Sequence, residues 1–283
     1  MEDEHIIEAL GKTRIIIRNG KIVEIGEPMI RSCPLAKRFL KPVINFTKDE
    51  IRDNIEFRIK EFGMCTKNRK VILKEDFVPF GSSELISFGI RNSLIDSAVI
   101  VCDGAGTVIT NNPWLVQGIG GRMSGLIKTS PIKEVIERIE REDGIVLDKE
   151  KAIINQIAGV ELAYKMGFKN VAVTVINADD AEIIRSKFKN TWIFATHLTG
   201  ISKEEAERLT NVCDFITACA SKWIREISSK KAIMQAGISI PVFIMSKRGR
   251  DLLLDKLKEL NQQFIVKIGN LPYIKENQPY PLV

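Results

Sequence analysis

Long apolar runs are missing from this 283-residue chain. None approaches the roughly 18–20 residues that span a bilayer as a helix, so no membrane partner is expected. The opening MEDEHIIEAL carries acids where a secretory signal would carry bases, and a cytoplasmic location is the expectation. Histidine is scarce: His5 and His197 are the two present, which excludes a histidine-rich metal site and leaves His197, away from the terminus, as the acid–base candidate. Cysteine is sparse as well. The five residues are scattered and form no C-x-x-C pair, which excludes zinc-ribbon and thioredoxin motifs and any dense disulfide framework. Blocks of five or six like charges are absent too, and bases do not alternate with aromatics. The formal charge of +6 therefore reads as a solvated mixed surface, and nucleic acid is not expected as a partner.

What is present is a sequence 45% hydrophobic, enough for a full core. In its second half, VAVTVI (171–176), TWIFAT (191–196), DFITA (214–218) and IPVFIM (240–245) are short β-rich runs, each followed by a polar turn and a helical pattern. Helix starts are marked by Asp179, by Ser202 with Glu205 as a capping box, and by Ser221. With DSAVIVC (96–102) these runs predict an α/β fold, a mostly parallel, Rossmann-like sheet with helices on both faces. The first ninety residues differ. TRIIIRNGKIVEIG is two alternating runs around Asn19-Gly20, a hairpin signal, and a helix capped at Thr47 follows. The expected organisation is an N-terminal hairpin-containing element over 1–90, an α/β core over 91–262 and an extended tail over 263–283.

In an open α/β sheet, ligands bind beyond the carboxyl ends of the strands. Cys102, Asp103, His197 and Lys222 fall at such ends and are the candidate catalytic residues, although turn and capping roles compete at each position. Two glycine-rich stretches, DGAGT and QGIGGRMSG, make Gly104, Gly106, Gly120 and Gly121, with Arg122, a candidate cradle for a small anionic ligand. Neither matches a dinucleotide or P-loop pattern, and tight turns are the competing reading. Cys33, Cys65, Cys102 and Cys219 each sit beside a small or turn-forming residue. They are candidates for a thiolate site assembled in space, with zinc or an iron–sulfur cluster as the cofactor, and burial as small hydrophobes is the alternative.

The strings MEDEHIIEALGKTRIIIRNGKIVEIGEP, NIEFRIKEFGMCT, LIDSAVIVCDGAGTV, LVQGIGGRMSGLIKTSPI and TACASKWIREI resemble methanogenesis marker protein 8, an archaeal family, over nearly the whole chain. The resemblance implies an anaerobic, cytoplasmic protein associated with methanogenesis, with other methanogenesis proteins as partners. It also implies a shared role for Cys33, Cys65, Cys102 and Cys219 that excludes Cys213. Two functions follow as expectations: an accessory protein holding a metal or iron–sulfur centre or handling sulfur, and an enzyme or binding protein for an anionic small molecule in a strand-end crevice.

Overall fold

A computed structural model describes residues 3–123 and 125–283. The chain opens with the strands β1 (Glu4–Ala9), β2 (Thr13–Arg18) and β3 (Lys21–Ile25), then the helices α1 (Lys48–Phe62) and α2 (Ser82–Arg91). A hairpin of β4 (Ser97–Cys102) and β5 (Gly106–Thr110) precedes α3 (Pro113–Gly120), β6 (Gly125–Lys128), α4 (Lys133–Arg141) and β7 (Ile145–Val146). Alternation follows through α5 (Gln156–Lys165), β8 (Val171–Val175), α6 (Ala178–Lys187), β9 (Trp192–Ala195), α7 (Lys203–Val212), β10 (Phe215–Thr217) and α8 (Lys222–Lys231). The edge hairpin β11 (Met234–Ala236) and β12 (Val242–Ile244) leads to α9 (Lys247–Glu259).

These strands form two sheets. The smaller is antiparallel, in the order β3-β2-β1-β6. Asn19 and Gly20 take positive φ, 49° and 68°, at its β2–β3 turn, as a two-residue hairpin connection of this type requires. The larger sheet has the order β11-β12-β10-β9-β8-β4-β5-β7. Three of its pairings are parallel and four are antiparallel, so the expectation of a mostly parallel, Rossmann-like sheet is corrected to a mixed one. The physical reason lies at both edges. The DGAG stretch closes a tight hairpin instead of leading into a helix, with Cys102 opposite Gly106. At the other edge, α8 delivers the chain to β11, two places beyond β10, and β12 returns antiparallel to fill the gap between them.

Residues alternate across the large sheet with period two. Ile100, Phe194, Phe215 and Ile244 pack on one face with α2, α3, α4 and α9. Val99, Ile193, Ile216 and Phe243 pack on the other with α5 to α8. A third core joins the small sheet to α1 through Ile7, Ile15, Ile17, Ile51 and Ile55. The helices start on side-chain caps: Thr47, Ser202 and Ser221 as their sequences indicate, and Asn177 rather than Asp179 for α6, its side chain accepting from the Asp180 amide. Among the described residues no helix is long and apolar enough to cross a membrane. Residues 263–283 contain no regular element beyond a bridge between Ser32 and Tyr280.

Candidate functional site

A cavity of about 740 Å³ lies between the two sheets, within the size range of small-molecule sites. One wall is made by the carboxyl ends of the parallel strands: Val101 in β4, Thr174 in β8 and Ile176 just after it, Thr196 and His197 after β9, and Thr217 in β10 and Cys219 just after it. The β1–β2 turn, β6 and α1 close it from the other side. Most of the lining is apolar, including Leu10, Ile30, Phe39, Phe46 and Phe57.

His197 and Cys219 stand at adjacent strand exits, and both hold left-handed backbone, with φ of 61° and 46°. For non-glycine residues this conformation costs of order 1 kcal/mol and concentrates at functional sites. The His197 Nε2 lies 2.7 Å from the Glu8 carboxylate, so the small sheet supplies the partner for a residue of the large one. The hydrogen bond to His197 holds the Glu8 carboxyl below its ordinary range, against the opposing effect of burial. Gly125 makes this approach possible, since a Cβ there would lie 2.6 Å from the His197 Nε2. Lys12 reaches the same corner from the β1–β2 turn and donates to the Thr199 carbonyl at 3.0 Å.

Cys219 lies beside Cys33, which also lines the cavity. Burial raises both thiol pKa values, outweighing backbone hydrogen bonds that act in the other direction. Both are therefore thiols at neutral pH. Arg225, 4% exposed, braces this loop by donating to the carbonyls of Ala218, Cys219 and Ser221.

The other sequence candidates fall elsewhere. Asp103 is fully buried outside the cavity lining, where it accepts from the Cys65 amide at 2.5 Å and from the Arg69 Nε at 2.8 Å. Arg69, 1% exposed, also donates to the carbonyls of Lys70, Gly118 and Ile119. Asp103 thus links the loop after α1, through Cys65 and Arg69, to the end of α3. Lys222 is exposed at the start of α8 and stacks on Trp223, 5.0 Å from its ring centre. Cys65 and Cys102 are buried with Asp103, and burial together with the Asp103 charge raises both thiols.

The four cysteines therefore separate into two pairs, Cys33 with Cys219 and Cys65 with Cys102. Among the described residues no three His, Cys, Asp or Glu side chains gather as a metal site. The arrangement does not fit a four-thiolate zinc or iron–sulfur centre, which needs its ligands around one point.

The glycine cradle is divided as well. Gly120, Gly121 and Arg122 line the cavity and Gly104 and Gly106 do not. Gly104 donates its amide to the Thr129 hydroxyl, and Gly106 pairs with Cys102. Gly120 and Gly121 end α3, where carbonyls rather than amides are left free, the wrong polarity for an anion. QGIGGRMSG is accordingly a helix end running into β6, with Ser124 outside the described residues. His5 is fully buried in β1 between Asp3 and Thr129.

Sequence reasoning missed Glu8 and the cavity face of α1. The signal for the second was present: Ile51, Asn54, Ile55 and Arg58 share the i, i+3, i+4, i+7 stripe of one helix face, so two polar residues fall on an otherwise apolar stripe.

Comparison with known proteins finds a family described as uncharacterized protein conserved in archaea (DUF2099), matched over residues 5–258. An uncharacterized protein of Methanocaldococcus jannaschii is 47% identical over 285 residues, covering 99% of this chain and 100% of the relative. No solved structure matches.

Proposed function

The chain belongs to the DUF2099 family of proteins conserved in archaea, and from that premise we propose that it binds an organic small molecule in the inter-sheet cavity, with His197 exchanging a proton with it. The carrying observation is the pair of left-handed residues, His197 and Cys219, at adjacent strand exits on one cavity wall. Glu8 orients the imidazole through the 2.7 Å contact. The apolar lining takes the body of the ligand and excludes water from the proton transfer. The test is binding of the neutral fluorescent probe N-phenyl-1-naphthylamine to the purified chain and to Thr217→Trp, which fills the strand-end wall. Saturable binding lost in the variant, with its melting temperature retained, is the expected result; equal binding by both proteins removes the cavity from the function.

The association with methanogenesis implied by the sequence resemblance belongs to the same proposal, and slower growth and methane production on deletion of the gene in a methanogen is its test. A second reading, a sulfur-handling accessory protein, is favoured by Cys33 and Cys219 sharing the cavity. It differs in outcome: Cys219→Ser abolishes the phenotype-rescuing activity under the sulfur reading, and His197→Ala does so under the first.

A further inference from the structure

Arg58 is 8% exposed and lines the cavity. Among the described residues its guanidinium has no carboxylate, carbonyl or hydroxyl partner, and it lies over the face of Phe39, 4.8 Å from the ring centre. Elsewhere in the molecule buried arginines are fully engaged: Arg69 by Asp103 and three carbonyls, Arg225 by three carbonyls and Gln278. A cation held in a largely apolar cavity without an anion is unfavourable unless something compensates it. Burial lowers the Arg58 pKa to about 10, which still leaves the group charged at neutral pH.

Glu84 and Asp76, acids of the same lining, are committed to other partners, and among the described residues no acid of the lining is paired with Arg58. Glu84 accepts from the amides of Phe77 and Val78, from Ser83 and from Gln117. Asp76 pairs with Lys256 at 2.6 Å, and Glu75 is exposed. One turn before Arg58, Asn54 is 1% exposed and also lines the cavity. Its Nδ2 donates to the Lys41 carbonyl at 2.7 Å, while its Oδ1 is buried with no partner. Two polar groups without a hydrogen-bond partner thus lie at i and i+4 on one helix face, on residues that line the same cavity.

We propose that Arg58 and Asn54 form an anchoring subsite for an oxyanion, a carboxylate or phosphate, carried on an apolar body, with the Asn54 Oδ1 accepting from a hydroxyl adjacent to it. The planar fork of the guanidinium matches the two oxygens of either group, and the phenyl rings beside it suit an aliphatic or aromatic body. This inference rests on the cavity being the ligand site and adds the chemical class of the ligand.

The experiment measures displacement of N-phenyl-1-naphthylamine from the full chain by decanoate, decyl phosphate, 2-hydroxydecanoate and decanol. At least one of the two plain anions is expected to displace the probe at a concentration at least tenfold below that of decanol, and their ranking separates carboxylate from phosphate. In Arg58→Met that advantage disappears, while the melting temperature without ligand stays the same or rises, because a cation with no counter-ion has been removed from an apolar cavity. A structural arginine gives the opposite result, a fall in melting temperature. Tighter binding of 2-hydroxydecanoate than of decanoate, lost in Asn54→Leu, supports the hydroxyl contact, and equal binding overturns it. Should all the compounds bind with no preference for charge, the oxyanion subsite is wrong and the cavity reading survives. Failure of the probe and of every compound to bind overturns both.

Discussion

Substitution of Asp103 by Asn tests whether the fully buried carboxylate is a brace. The change keeps shape and removes charge. It leaves Arg69, 1% exposed, without a counter-ion, and it turns one of two acceptors into a donor. That donor then faces either the Cys65 amide or the Arg69 Nε, both donors themselves. Breaking one side of a buried ion pair costs about 3–5 kcal/mol. At an unfolding entropy of about 2.1 cal/mol/K per residue, the 283-residue chain carries about 0.6 kcal/mol/K, so the melting temperature should fall by about 5–8 °C. Circular dichroism melts measure it. Arg69→Met should cost a similar amount, and the double variant should be far less destabilised than the sum of the two, the mark of one shared interaction. Probe binding below the melt should be unchanged, since Asp103 does not line the cavity. A shift under about 2 °C together with lost binding would refute the brace and restore Asp103 to the chemistry.

Gly118→Ala places a Cβ 1.9 Å from the Val71 carbonyl oxygen, where α3 meets backbone rather than a yielding side chain; a loss of about 3 kcal/mol or failure to fold is expected, and wild-type denaturant stability would contradict the close approach. N-ethylmaleimide should label two thiols of the native chain, the partly exposed Cys33 and Cys219, and all five after unfolding. Because burial raises both reactive thiols, labelling should accelerate with pH up to and beyond 9; rapid, pH-independent reaction at neutrality would show a stabilised thiolate instead. Asp214, 2% exposed, is pushed up by burial but pulled further down by hydrogen bonds and charge from Arg248, with help from Ser246 and Arg185, for a net lowering from 3.8. Its contribution is present above about pH 4 and lost as pH falls through the lowered value, so Asp214→Asn should flatten the acid limb of a melting-temperature profile between pH 5 and pH 2.5, and an unchanged limb would assign acid unfolding to other carboxylates.

Local chemistry carried the legible part of the fold. Asn19-Gly20, Thr47, Ser202 and Ser221 act within three residues of themselves, through positive φ or a side chain accepting a helix amide. Strand direction depends on the far end of a connection, and IPVFIM reads identically whether β12 enters parallel or antiparallel. The strands β7 and β11, of two and three residues, are too short to show a period at all. At the site, strand exits pointed to His197 and Cys219. The partners came from β1 and α1, whose distance in sequence, 189 residues between Glu8 and His197, is closed by packing alone. The contacts of Asp103 were not legible because a polar residue at a strand tip looks the same whether it meets a ligand or a buried arginine.

The placement of β6 has a consequence for how the protein comes apart. Residues 125–128 leave the α/β layer to complete the small sheet beside β1, and the chain then returns to add α4 and β7 to the larger assembly. The amino-terminal sheet is therefore sewn into its neighbour and cannot open as an independent foldon without stripping a strand from itself or pulling on the segment that joins α3 to α4. Amides of β1 and β8 should exchange with solvent through the same global opening, and a fragment beginning after residue 90 would carry β6 as an unpaired edge, prone to aggregation.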